Sequence, residues 1–379
     1  MTYAFLQQYW WVLISLLAAL LVFLMFVQGA NALIFIVGKD PAQRRMMINS
    51  TGRKWELAFT TLVTFGGAFF ASFPLFYSTS FSGAYWVWIL LLITFVFQAV
   101  SYEFQNKEDN LLGSKAFQIF LMINGLLAPL IVGAAVGTFF TGSDFTVNKE
   151  VMSQFGGGVI STWGTAWHGL EALAQPLCLA LGGTVLFADL ILGSLYLLNN
   201  IQDEALEKNL RKCLKVVSPI FLILLIISCV LLFMKFGFAV DAEGTVRLEA
   251  GKYFHNLLQQ PLVLGFFLVG AALFVWGMVL GTFRNSRKGI WPAGVGIVLF
   301  VMSLFFLAGF NGTAYYPSYA DLQSSLTLQN SSSSEVTLKA MFYISFAIPF
   351  VLAYIFYAWR QMDKKPLTRE EMEGDDNKY

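Results

Sequence analysis

The sequence predicts an all-α, polytopic membrane protein with nine transmembrane helices, its N-terminus outside and its C-terminus cytoplasmic. Three observations carry this. Hydrophobic residues make up 57% of the 379-residue chain and charged ones 12%, with a mean hydropathy of +0.65. A soluble core of this size could not hide so many apolar side chains, whereas a bilayer solvates them. Nine apolar runs approach the about 20 residues that one crossing needs. The loops between them alternate in cation content, which sets orientation.

The runs fall at roughly 10–37, 57–77, 85–102, 117–140, 164–188, 216–239, 262–282, 290–309 and 340–359. The fifth continues through Asp189 to Leu198, so its helix is expected to project at its far end. One set of loops holds Lys39, Arg44, Arg45, Arg53 and Lys54; Lys107 and Lys115; Lys208, Arg211, Lys212 and Lys215; and Arg284, Arg287 and Lys288. The tail adds Arg360, Lys364, Lys365 and Arg369. The other set carries only Lys149, then Arg247 and Lys252, then Lys339. Cation-rich loops stay in the cytoplasm, and an odd number of spans puts the termini on opposite sides, so count and charge agree. The connection 310–339 reads as an ordered outer cap with Tyr315, Tyr316 and Tyr319 as interfacial aromatics. The chain divides into one transmembrane domain, 1–362, and a short tail, 363–379. No cation precedes the first run, which argues against a cleaved secretory leader.

The composition excludes several functions. Net charge is +1, so no global field draws nucleic acid. The three cysteines, Cys178, Cys213 and Cys229, form no C-x-x-C pair and read as small buried residues. Only two histidines occur, His168 and His255, both placed toward the outer side, so the chain is a poor holder of a haem. There is no Gly-rich phosphate loop and no H-E-x-x-H, and no metal site is expected.

Ionisable residues at membrane depth are functional candidates by default. Glu56 opens the second run and Glu103 closes the third, so both belong at the cytoplasmic face at similar depth. One reading is a shared proton inlet; the other is an interfacial Glu56 held by Lys54 or Arg53. Glu56, Thr60, Thr64, Gly67 and Ala71 form one helical stripe of small and hydroxyl residues suited to close helix packing. His168, Glu171 and Gln175 share a face if the fifth helix begins there, giving a quinone or partner contact or a plain interfacial polar patch.

Several stretches together carry a resemblance. They are Trp10–Trp11, RRMMINS at 44–50, KWE at 54–56, GGAFFASFPLFYSTSFSGAY at 66–85, YEFQNK at 102–107, PLIVGAAVG at 129–137 and PSYADLQSSLTLQNSSSSEVTL at 317–338. Across essentially its whole length the chain resembles subunit II of cytochrome bd-type quinol oxidases. The resemblance implies a respiratory, electrogenic oxidase of the bacterial inner membrane that reduces oxygen to water with quinol electrons and cytoplasmic protons. It implies two haems b and one haem d, all held by subunit I and none by axial ligands of this chain. It further implies two four-helix bundles plus one peripheral helix, a structural quinone, lipid contacts and a small single-helix accessory subunit. Glu56 matches the acid of the family's H-W-D pattern, here Lys54-Trp55-Glu56, and Glu103 that of G-F-D-Y, here Ser101-Tyr102-Glu103-Phe104. Both acids are associated with proton delivery, and the terminal Tyr379 ends some relatives near the inlet. The family's T-D-G-F-D appears as Val27-Gln28-Gly29-Ala30-Asn31, so Gln28 and Asn31 replace two acids, and amides cannot release a proton. The alternatives are a secondary transporter with a midplane site, read from the Gly-rich 125–137 stretch, and a purely structural anchor.

Overall fold

In a bilayer, burial of apolar surface does not by itself drive helices together, because lipid tails are as apolar as leucine. Packing and interhelical hydrogen bonds do so instead. The computed structural model shows where each operates; it describes residues 1–107, 110–148, 159–364 and 367–368. Helix α1 (Tyr3–Leu24) starts on Thr2, whose hydroxyl accepts the Phe5 N–H at 3.3 Å, and continues through α2 (Phe26–Ala32) into α3 (Ile34–Val37). The polar helix α4 (Pro41–Gly52) is capped by Asp40, which accepts the Gln43 N–H at 2.8 Å, with Pro41 in the first turn where no N–H is needed.

Helix α5 (Trp55–Ser72) ends at Phe73 because Pro74 supplies no N–H and disfavours helical backbone at the residue before it. The chain then turns through α6 (Pro74–Phe76) and a π-helical turn, Tyr77–Ser82, bent by 117° from the preceding helices. Helices α7 (Tyr85–Phe104) and α8 (Ser114–Thr141) come after it, then a hairpin of β1 (Phe145–Val147) and β2 (Ser161–Trp163). Next come α9 (Pro176–Asn200), α10 (Glu204–Met234), and a second antiparallel hairpin, β3 (Phe236–Val240) with β4 (Val246–Ala250). Helices α11 (Lys252–Gln259), α12 (Pro261–Phe283), α13 (Ile290–Gly309), α14 (Leu328–Ser331), α15 (Glu335–Ser345) and α16 (Ile348–Met362) complete the order.

Among the described residues, seven helices are long and apolar enough to cross a membrane, and nine crossings result if the bent pairs 41–82 and 335–362 each count as one. The protein is thus mostly helical and multi-pass, but two boundaries differ from expectation. The sixth run stops being helical at Met234 and passes into strand β3, which pairs with β4 in a hairpin. The fifth helix begins at Pro176, not near 164, because Gly169 adopts φ 97° and Pro176 takes the first helical position.

The two hairpins and the 310–334 segment form a cap at the end of the molecule away from α4. Trp11 organises the core beneath it. Its ring lies 4.6 Å from Tyr315 and within 6.5 Å of Phe69, Phe73, Phe139 and Phe305, and its indole donates to the Phe305 carbonyl at 3.0 Å. Such ring pairs contribute about 0.5–1.5 kcal/mol each. Tyr315 and Tyr316 are therefore buried core residues, correcting the interfacial expectation, and only Tyr319 is exposed. Burial beside Asp144 and Glu171 pushes the Tyr319 hydroxyl up to about 12.

Candidate functional site

The start of α5 and the end of α7 meet through aromatic side chains. Trp55 stacks on Tyr102, with centroids 5.8 Å apart and planes 16° from parallel. One residue further along each helix rotates the side chain by about 100°, so Glu56 and Glu103 both turn to the outside of the chain and are exposed. They flank one aromatic pair from two helices. Glu103 makes an ion pair with Lys107 one turn on, at 3.4 Å. Lys54 is committed elsewhere: its buried ammonium donates to Asp363 at 2.7 Å and lies 5.1 Å from the Trp359 ring centre. Arg53 donates to Asn49 Oδ1 at 3.1 Å and to the Met362 carbonyl at 3.3 Å. These cations dock the end of α16 on the α4–α5 corner.

The stripe on α5 also faces outward. Thr60, Thr64 and Gly67 are exposed, and a methyl group added at Gly67 would meet nothing within 4 Å. The opposite side of α5 buries Phe65 and Phe69. Close packing by this stripe, expected from its small residues, does not occur among the described residues.

Inside the aromatic pair the chemistry changes from carboxylates to amides and hydroxyls. The Tyr102 hydroxyl lies 2.8 Å from both Asn31 Oδ1 and Thr51 Oγ1. Gln28 Nε2 donates to Gln98 Oε1 at 3.1 Å. On the α9 side, Asn200 Nδ2 donates to Ser50 Oγ at 2.7 Å and to the Tyr196 hydroxyl at 3.0 Å. The last turn of α4, with Asn49, Ser50 and Thr51 buried, thus forms a polar floor, Ser50 and Thr51 each serving one branch. Asn124 on α8 and Asp189 on α9 are fully buried, and neither side chain has a hydrogen-bond partner among the described residues. Gln28 Oε1, Asn31 Nδ2 and Gln98 Nε2 share that condition. Buried polar atoms almost always have partners, so this cluster is unusual. Sequence reasoning does not find Asn124, and it reaches Asp189 only as a helix extension; an acid inside the α9 apolar run was the available signal.

His168, Glu171 and Gln175 do not share a helical face. His168 has φ 37°, Glu171 lies in the 3-10 turn Leu170–Ala174, and Gln175 precedes α9. His168 Nδ1 sits 3.0 Å from the Gly83 carbonyl, and Glu171 Oε2 accepts the Gly169 N–H at 2.9 Å. They lie beside an apolar cavity lined by Val87, Trp88, Val132, Trp163, Gly169 and Ala172. Tyr379 lies outside the described residues. No group of three or more His, Cys, Asp or Glu that could hold a metal occurs among the described residues.

Comparison with known proteins covers nearly the whole chain. The family described as cytochrome bd terminal oxidase subunit II matches residues 6–362. A probable cytochrome oxidase subunit 2 from Haemophilus influenzae is 28% identical over 95% of each chain. Cytochrome bd-I ubiquinol oxidase subunit 2 from Escherichia coli K12 is 25% identical over 98% of this chain and 97% of its own. Cytochrome bd ubiquinol oxidase subunit 2 from Bacillus subtilis is 24% identical over 96% of this chain and 99% of its own. In three dimensions, a chain of the bd oxidase from Geobacillus thermodenitrificans superposes with a TM-score of 0.57 at 14% identity, covering 94% of this chain and 99% of that one.

Proposed function

The chain belongs to the cytochrome bd terminal oxidase subunit II family, and from that premise we propose that it is the non-haem subunit of a quinol:oxygen oxidoreductase in the bacterial cytoplasmic membrane. It assembles with subunit I and admits protons to the oxygen-reducing site. The N-terminus is outside and the C-terminus cytoplasmic, so the α4 end is the proton-entry side. The family membership displaces the transporter reading.

The outward face of α5 carries this proposal. A lipid-facing helix presents bulky apolar side chains, as α7 does with Leu92, Ile93 and Val96. The α5 face sets Glu56, Thr60, Thr64 and Gly67 beside only two exposed bulky residues, Val63 and Phe70, a mixed surface suited to a neighbouring protein helix. Subunit I packs there, and Glu56 and Glu103 then lie at or beside the subunit boundary, where a carboxylate can pass protons from the cytoplasm. Helix α16 buries none of its residues; it is the peripheral helix, open to lipid and to a small accessory subunit.

The donor set in this chain does not fit a haem. His168 is turned to the Gly83 carbonyl, and His255 pairs with Glu249 at 3.5 Å on the cap. Both lie in irregular or cap segments and not opposite each other across a helix bundle. Subunit I accordingly holds the haems b and d and oxidises quinol. The cavity beside His168 and Glu171 is apolar enough to receive a quinone tail or oxygen.

The test is purification through a tag on this chain. The complex with subunit I should show b- and d-haem absorption, and the separated chain none. Haem retained by the separated chain contradicts the division of labour.

A further inference from the structure

We propose that Asp189 is an internal proton-holding site of this chain, buried at the level where two polar branches leading to its α4 end begin. The proposal rests on the proton-access reading for the direction of flow.

The geometry begins with three helices meeting at one level. A Cβ on Gly29 of α2 would overlap the Asp189 carbonyl of α9, and one on Gly125 of α8 would overlap the Gln28 carbonyl and the Ala32 nitrogen. Only glycine permits these approaches. With 1.5 Å of rise per residue, Asp189, Asn124, Gln28 and Asn31 fall within about one turn of each other along the bundle axis. All four are 0% exposed, and each has at least one side-chain polar atom without a partner among the described residues.

No cation stands at that level among the described residues. Helices α12 and α13 carry no Asp, Glu, Lys, Arg, His, Tyr or Cys, and neither does α2. On α8 the sole charged residue is the exposed Lys115 at the α4 end, and on α1 the titratable groups Tyr3 and Tyr9 lie near the cap. On α10, Phe221 faces this region, with Cys213 toward the α4 end, Cys229 toward the cap and the charged residues 204–215 beyond. On α4, Arg44 and Arg45 lie toward the end remote from Ser50 and Thr51. An ionised carboxylate buried without a counter-charge is costly. A neutral carboxyl both donates and accepts a hydrogen bond and suits a cluster of amides.

Two branches lead from this level to α4. One runs through Asn31, Tyr102 and Thr51. The other descends α9 by two turns to Tyr196, then Asn200 and Ser50. Ser50 and Thr51 are neighbours, so both branches end on one buried turn. The step is a proton exchange with no net chemistry: the carboxyl O–H breaks as an O–H forms on a water or hydroxyl acceptor, and a proton arriving from the α4 side restores it.

The test uses the intact haem-containing complex and infrared difference spectroscopy with hydrogen–deuterium exchange. The native complex should show a protonated-carboxyl C=O band that shifts in deuterium oxide and is absent in Asp189→Asn. Asp189→Asn should also slow oxygen uptake about tenfold or more, most strongly at alkaline pH, with haem content unchanged and recovery in Asp189→Glu. A band that persists in Asp189→Asn, or turnover equal to native at every pH, overturns the proposal. So does a band that answers to added sodium and not to deuterium. The infrared measurement needs no turnover, so failure of the Glu56 and Glu103 entry reading leaves its outcome distinct.

Discussion

The outer and inner faces of the α5–α7 contact carry opposite chemistries. Outside the Trp55–Tyr102 stack stand two exposed carboxylates, Glu56 and Glu103, beside a small-residue stripe that nothing in the described chain covers. Inside it, the Tyr102 hydroxyl meets the buried Asn31 and Thr51, and an acid, Asp189, is buried deeper in the bundle. The exposed acids are open to water or to a partner. Charge inside the bundle would be unsolvated, and neutral amides fill those positions. On the proposed function, the difference separates a surface offered to a partner from an interior of internal hydrogen bonds, and substitutions should separate the two.

The largest effect belongs to the interior. Gly29→Val drives a side chain into the Asp189 backbone, and overpacking of this kind costs about 3 kcal/mol or more. The yield of haem-containing complex should collapse. The matching exterior change, Gly67→Val, should leave this chain folded and loosen its hold on subunit I, seen as loss of the partner during purification. A Gly67→Val complex as robust as native would place lipid, not protein, against α5.

Next comes the corner that both faces share. Asp363→Ala leaves the buried Lys54 ammonium without its carboxylate, a loss of about 3 kcal/mol. Hydrogen exchange should accelerate in α16 and not in α9. A smaller effect is expected from Tyr102→Phe, which removes a hydroxyl shared by Asn31 and Thr51 and costs about 1–2 kcal/mol, read as a lower Tm of the assembled complex. The smallest belongs to Glu103→Gln: its pair with Lys107 is exposed, and the stability change should stay within about 0.5 kcal/mol.

The helical spans were legible because twenty-residue apolar runs admit one solution in a bilayer. The breaks at Pro74 and Pro176 were written in the sequence as well, yet their consequences depend on tertiary contacts. The Gly169 turn and the start of α9 at Pro176 leave His168 and Glu171 off the helix that the apolar run alone suggests. The first strand of the hairpin looked like the end of a span because a short apolar strand passes a hydropathy window as easily as a helical turn. Glu56 and Glu103 were visible as charges at the edge of apolar runs, but their outward direction depended on the Trp55–Tyr102 stack. The interior cluster was the least legible part. Asn31 was visible only as an amide in place of an acid. Thr51, Tyr102 and Asn124 are ordinary residues taken singly, and only the packing of α2 against α4, α8 and α9 and the hydroxyl of Tyr102 on α7 bring them together. Asp189 had a signal of its own, an acid within the α9 run.

If the outward acids of this chain admit protons for oxygen reduction, quinol-driven oxygen uptake depends on them. The complex bearing Glu56→Gln and Glu103→Gln should be measured across pH beside the native complex at equal haem content. The account predicts uptake reduced about tenfold or more, with assembly and haem spectra intact. Uptake equal to native at every pH would contradict it and leave this chain a structural anchor.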